Sequence, residues 1–144
     1  MNNRPLLIAE DEDNDVFFLK RALQKAGVTN PIHVVDTGQG VLDYLKGEGA
    51  YADRVVYPAP HLLLLDLKLP CVSGIEVLKW IRKDNRHKQL PVIVLSSSTL
   101  SFDVQEAYES GANAYAVKPC DPDQLVQLMQ DFANWWLKQN VTVL

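Results

Sequence analysis

Four short stretches of this chain end in side chains that could share one chemistry. Glu10 and Asp11 follow an apolar run, Asp66 ends a run of four leucines, Ser96 ends Val92-Ile-Val-Leu95, and Lys118 follows Ala114 to Val117. Acids brought close together repel, and each then resists ionising alone. A hard divalent cation relieves the repulsion, and magnesium takes one or two carboxylates together with waters and phosphate oxygens. Beside such an ion a carboxylate can act as a nucleophile and form an aspartyl-phosphate, which makes Asp66 the natural acceptor. Lys118 can neutralise phosphoryl oxygens, and Ser96 can donate a hydrogen bond to one of them.

Taken singly, each of these residues is ordinary. An acidic run before a helix complements the helix dipole, an Asp after an apolar strand forms turns, and Lys-Pro marks a loop boundary. The joint pattern carries the inference, because four of five expected strand ends bear mutually compatible groups.

Those ends belong to short apolar runs that alternate with helical patterns, the mark of a parallel sheet with crossover helices. Strands are predicted at Pro5–Ala9, Ile32–Val35, Leu62–Leu65, Val92–Leu95 and Ala114–Val117. The leucine run is too short for a helix and too apolar for a half-exposed strand, so it is read as buried on both faces. Leu19, Ala22, Leu23 and Ala26 recur at helical spacing before Gly27, and Val41, Leu42 and Leu45 do so before Gly47. A third helix follows Gly74, and a weaker fourth runs over roughly residues 102–110. A fifth opens at Asp121-Pro122, with Gln124 at the capping-box position, and carries a stripe through Trp136. Residues 47–60 read as an exposed connection. Five strands and five helices in strict alternation imply a flavodoxin-like doubly wound α/β fold, sheet order 2-1-3-4-5, where ligands bind at the carboxyl ends of the strands.

With 144 residues, the chain fits a single domain over residues 1–144. Fourteen basic residues against eighteen acidic ones, for a net charge of −4, argue against a nucleic-acid partner. The apolar runs are far shorter than a membrane span. Cys71 and Cys120 form neither a disulfide framework nor a zinc signature and fit a reducing cytoplasm. His33, His61 and His87 show no ligand spacing.

Leu7-Ile-Ala-Glu10-Asp11, Leu65-Asp66-Leu-Lys68-Leu-Pro70 with Gly74, Pro91-Val-Ile-Val-Leu-Ser96 and Tyr115-Ala-Val-Lys118-Pro119 together resemble a response-regulator receiver domain, in the right order along essentially the whole chain. The resemblance implies a phosphorelay protein phosphorylated on Asp66 by a histidine kinase. It implies a magnesium site, open to manganese, made by Glu10, Asp11, Asp66 and the main-chain carbonyl of Lys68. It makes Ser96 and Tyr115 a switch pair, places Lys118 against the phosphoryl group and implies a cis bond between Lys118 and Pro119. More narrowly, Gly47-Glu-Gly-Ala-Tyr51 and Phe132-Ala-Asn-Trp-Trp136 resemble the small response regulators paired with cyanobacterial phytochromes, which implies a light-sensing kinase as partner.

Two other functions compete. A magnesium-dependent phosphohydrolase would resemble a D-x-D pattern, but Lys68 stands two positions after Asp66. A scaffold that no longer accepts phosphate is the other. A flavin carrier would need a phosphate cradle where Glu10-Asp-Glu-Asp13 places negative charge. Self-association as a twofold dimer is expected from Tyr108, Trp135 and the tail Val141-Thr-Val-Leu144; the rival expectation is that this tail folds back over the fifth helix.

Overall fold

The four leucines form the middle strand of a five-stranded parallel sheet. A computed structural model describes residues 3–142. The strands are β1 (Leu6–Ala9), β2 (Ile32–Val35), β3 (Leu62–Leu65), β4 (Val92–Ser96) and β5 (Ala114–Val117), in the order β2-β1-β3-β4-β5. Helices α1 (Asp13–Lys25), α2 (Gly38–Lys46), α3 (Gly74–Lys83), α4 (Ser101–Glu109) and α5 (Pro122–Phe132) provide the crossovers. The order and the alternation are those expected from the sequence.

Strand side chains alternate between the two sheet faces, and the core divides accordingly. Leu7, Ala9, Leu63, Leu65, Val92 and Val94 pack with α2, α3 and Ala107 of α4. Leu6, Ile8, Leu62, Leu64, Ile93 and Leu95 pack with α1 and α5. Both faces of β3 are therefore covered, and all four leucines are buried. β5 lies at the edge and is only partly buried.

The helices start and stop where local chemistry dictates. Thr37, Ser73 and Asp121 accept backbone N–H bonds from Gly40, Glu76 and Asp123 at the openings of α2, α3 and α5. Gly47 closes α2 in the left-handed region, with φ of 70°.

Two elements differ from expectation. Residues 47–60 are not merely an exposed connection: a single 3-10 turn, Gly49–Tyr51, begins a packed loop in which Tyr51 and Tyr57 lie against Tyr44 and the Tyr44 hydroxyl donates to the Pro58 carbonyl at 2.9 Å. The aromatic rings there outweigh the turn-forming glycines and prolines. Past Phe132 the last helix widens into a π-helical stretch, Ala133–Gln139. That stretch leaves Trp135 54% exposed while Trp136 packs on the core beside α5. Of the expected tail, Val141 is exposed, whereas Val143 and Leu144 lie outside the described residues.

Candidate functional site

Parallel pairing in register determines which side chains meet at the carboxyl ends of the strands. Ala9 pairs with Leu65, so the next residues, Glu10 and Asp66, emerge side by side. Ser96 pairs with Val117, which places Lys118 one step beyond the end of the sheet. Alternation then sorts them by face. Glu10, Asp66 and Lys118 share the parity of Ile8, Leu64 and Ala116, residues of the α1/α5 side. Ser96 and Tyr115 share the parity of Val94, on the side of α4.

On the first face Lys118 is the hub. Its Nζ donates to Glu10 Oε2 at 2.8 Å, Asp66 Oδ2 at 2.9 Å and Asp15 Oδ2 at 3.1 Å. Asp66 Oδ1 accepts the Lys68 N–H at 3.1 Å, and Glu10 Oε1 accepts the Glu12 N–H at 3.2 Å. Glu10 and Asp66 are nearly buried, so their charges are poorly hydrated. Burial, then the facing Asp66, push the Glu10 carboxyl up to about 7 against the pull of Lys118. Burial also works to raise Asp66, but hydrogen bonds from Glu10, Lys118 and the Lys68 amide outweigh it and hold Asp66 below the usual carboxylate range. Lys118 responds in the opposite sense: burial opposes its charge, yet the two carboxylates raise it above an ordinary lysine. At neutral pH Asp66 is thus an ionised carboxylate with a cation on one oxygen.

Side-chain oxygens of Glu10, Asp11 and Asp66 lie within 4.8 Å of one another. An all-oxygen set of this kind suits a hard divalent cation. Asp15 is the member of the cluster that the sequence reading missed. Its place in the first turn of α1, two residues beyond the acidic string, was the available signal.

On the second face Ser96 is buried, and its Oγ accepts the Ser98 N–H at 3.2 Å. The Tyr115 ring already lies against the core, and its hydroxyl donates to the Ser98 carbonyl at 2.9 Å. One expectation needs correction. The Lys118–Pro119 bond is trans, not cis. Trans is the favoured isomer by about 0.5–1 kcal/mol, and with it Nζ reaches all three carboxylates.

The loop between Asp66 and α3 is held by close backbone contacts. A Cβ on Gly74 would lie 2.7 Å from the Asp66 carbonyl oxygen, and one on Gly38 would lie 1.8 Å from the Val72 carbonyl oxygen. Glycine is required at both positions by proximity. Between them Cys71 takes a left-handed conformation, with φ of 71°, that side chains seldom adopt. Cys71 and Cys120 are both free thiols.

The family model of the response regulator receiver domain matches residues 6–130. The chain belongs to the response regulator receiver family. This receiver resembles the response regulator Rcp1 of Synechocystis sp., with 30% identity over 92% of this chain and 88% of the relative. Among solved structures it is similar to response regulator RPA3017 in red light signaling of R. palustris, with a TM-score of 0.93 and 33% identity over 98% of this chain and 99% of that one. It is also similar to the phosphorylated cyanobacterial phytochrome response regulator RcpA, with a TM-score of 0.88, 33% identity and the same coverage. Rcp1 itself has been solved in a Mn2+-bound form, which superposes with a TM-score of 0.88 at 28% identity over 98% of this receiver and 99% of that chain. Receivers are signalling domains that work with histidine kinases and bind a divalent metal at an acidic pocket, and the Glu10, Asp11 and Asp66 cluster fits that pocket. Among the described residues no helix is long and apolar enough to cross a membrane.

Proposed function

We propose that this receiver accepts a phosphoryl group on Asp66 and so switches its association with a partner. The carrying observation is the Lys118 ammonium set 2.9 Å from Asp66 and 2.8 Å from Glu10. It keeps a nearly buried carboxylate ionised and places positive charge where phosphoryl oxygens would arrive. In the transfer, an Asp66 oxygen bonds to phosphorus as the phosphorus–nitrogen bond of a kinase phosphohistidine breaks, and the imidazole keeps the electron pair.

Magnesium, or manganese in its place, is the metal we assign to the acidic pocket. Glu10, Asp11, Asp66 and the main-chain carbonyl of Lys68 would hold it. When bound, it supplies further positive charge for the phosphoryl oxygens. Ser96 and Tyr115 serve as the switch pair, Ser96 meeting the phosphoryl group and Tyr115 reporting to the surface.

The similarity to regulators named for phytochrome and red-light signalling supports a light-sensing histidine kinase as the donor. A cytoplasmic setting suits the free Cys71 and Cys120. For self-association as a twofold dimer, support comes from Trp135 at 54%, Tyr108 at 48% and Val141 at 92% exposure. Sedimentation of the full chain against a version ending at Asn140 tests it: a full-length monomer at tens of micromolar, with and without a phosphoryl mimic, refutes the dimer.

Incubation with magnesium and a small acyl phosphate, followed by intact mass, tests the central claim. One added phosphoryl group is expected, with none on Asp66→Asn and none in chelator. An unmodified wild-type chain would leave the scaffold reading instead.

A further inference from the structure

Every donor of Lys118 is engaged. An ammonium carries three N–H groups. Its Nζ already donates to three carboxylates: Glu10 Oε2 at 2.8 Å, Asp66 Oδ2 at 2.9 Å and Asp15 Oδ2 at 3.1 Å. A phosphoryl oxygen that bonds this nitrogen must therefore displace one of them. Which acceptor leaves depends on what each carboxylate meets once the ammonium has gone.

Glu10 and Asp66 stand at the ends of β1 and β3 and are nearly buried, so neither finds much water on letting go. Asp15 is different. Its bond to Nζ is the longest of the three, and its side chain is 46% exposed. It sits in the first turn of α1, where the helix dipole favours a negative charge with or without Lys118 attached. A cavity of about 290 Å3, with Asn14, Asp15, Phe18, Lys118 and Pro119 in its wall, leaves the released carboxylate room to turn into water. Nor does local helix chemistry claim Asp15. The carboxylate of a capping box, at the third helical position, reaches back to the N-cap N–H. Here the N-cap is Glu12, and its N–H is already bonded to Glu10 Oε1 at 3.2 Å. Asp15 is turned to Lys118 instead.

We propose that Asp15 is a positioning residue: it holds Lys118 in the unphosphorylated receiver and is the acceptor that Lys118 gives up to an arriving phosphoryl oxygen. Asp15 thereby competes with the phosphoryl group and sets how tightly the site keeps it. The assignment rests on the reading of Asp66 as phosphoacceptor. Asp15→Asn keeps the shape of the side chain and removes the charge that competes.

Calorimetric titration of the full chain with beryllofluoride, the phosphoryl mimic, at magnesium saturating for each variant tests this. An exposed ion pair shifts an equilibrium by up to about fivefold, so Asp15→Asn should bind the mimic about three- to fivefold more tightly than wild type. Asp15→Glu returns a carboxylate to within reach of Nζ and should restore wild-type affinity. Asp13→Asn removes the same charge from the same turn, but Asp13 is not among the partners of Lys118. Screened by solvent and salt, that change should leave the affinity within about twofold of wild type. Equal tightening by Asp13→Asn would make the effect one of overall charge and overturn the assignment. So would unchanged or weaker binding by Asp15→Asn, which would mean that the ammonium releases Asp66 or Glu10 instead. If wild type takes neither the mimic nor a phosphoryl group from an acyl phosphate, the phosphoacceptor reading falls and the assignment falls with it.

Discussion

Replacing Lys118 by methionine keeps most of the side-chain volume and removes the charge that three carboxylates share. The Asp15 arm contributes little, because that side chain is 46% exposed. The Glu10 and Asp66 arms are different, since those side chains are only 4% and 10% exposed. Charge-assisted hydrogen bonds of this kind contribute about 1.5–3 kcal/mol each, so the two sum to roughly 3–6 kcal/mol. Removing one partner of a buried ion pair costs about 3–5 kcal/mol by a separate route, and the ranges overlap. The pH dependence sharpens the expectation. In wild type, Glu10 has a folded pKa raised from 4.5 to about 7, so its contribution is fully present below 4.5 and is lost as pH rises through 7. Without Lys118 that value rises further, and the variant loses about 1.4 kcal/mol for each pH unit over which only the folded state holds the proton. Between about pH 6 and about pH 8 wild type loses roughly half as much as the variant, so the penalty grows by about 1.4 kcal/mol. Urea unfolding in chelator should therefore show Lys118→Met destabilised by about 4 kcal/mol at the higher pH and by about 3 kcal/mol at the lower. Magnesium should shrink the penalty by replacing the missing cation among the acids. A loss under about 1 kcal/mol, or one indifferent to both pH and magnesium, would refute the account of Lys118 as the counter-charge of this site.

Three further outcomes follow from the same geometry. Gly38→Ala drives a methyl into the Val72 carbonyl, 1.8 Å from where its Cβ would lie, and should cost about 1–3 kcal/mol in urea unfolding while displacing the loop that follows Asp66; an unchanged midpoint would contradict the packing. Cys71→Gly relieves a left-handed backbone with φ of 71° and should raise the free energy of urea unfolding by about 1 kcal/mol, whereas Cys71→Val should lower it. His87 Nε2 donates to the Leu45 carbonyl oxygen at 2.8 Å, and burial lowers its pKa from 6.5. Its contribution is therefore lost as pH falls below 6.5, and His87→Gln should flatten the acid side of the stability profile.

Much of this molecule is legible along the chain, because parallel strands buried on both faces must be short apolar runs and their crossover helices must show a helical period. Leu62–Leu65 can be little else, and the caps at Thr37, Ser73 and Asp121 sit beside their helices in sequence. The candidate chemistry is legible for the same reason: a polar residue directly after a short apolar strand has to emerge at the end of the sheet, as Glu10, Asp66 and Lys118 do. What the chain order cannot carry is any relation that depends on distance across the fold. Asp15 joins the cluster only because α1 brings its first turn over the end of β5. Strand parity, which separates Lys118 from Tyr115 onto opposite faces, acquires meaning only once α4 and α5 are packed. The trans bond before Pro119, the π-helical widening that exposes Trp135 and the aromatic packing of Tyr51 and Tyr57 each balance small local preferences against packing. Ser98 is the plainest case. In sequence it is one of three consecutive serines, and only the tertiary structure distinguishes it, because its partners Asp103 and Tyr115 come from a helix and a strand that must first be brought to it.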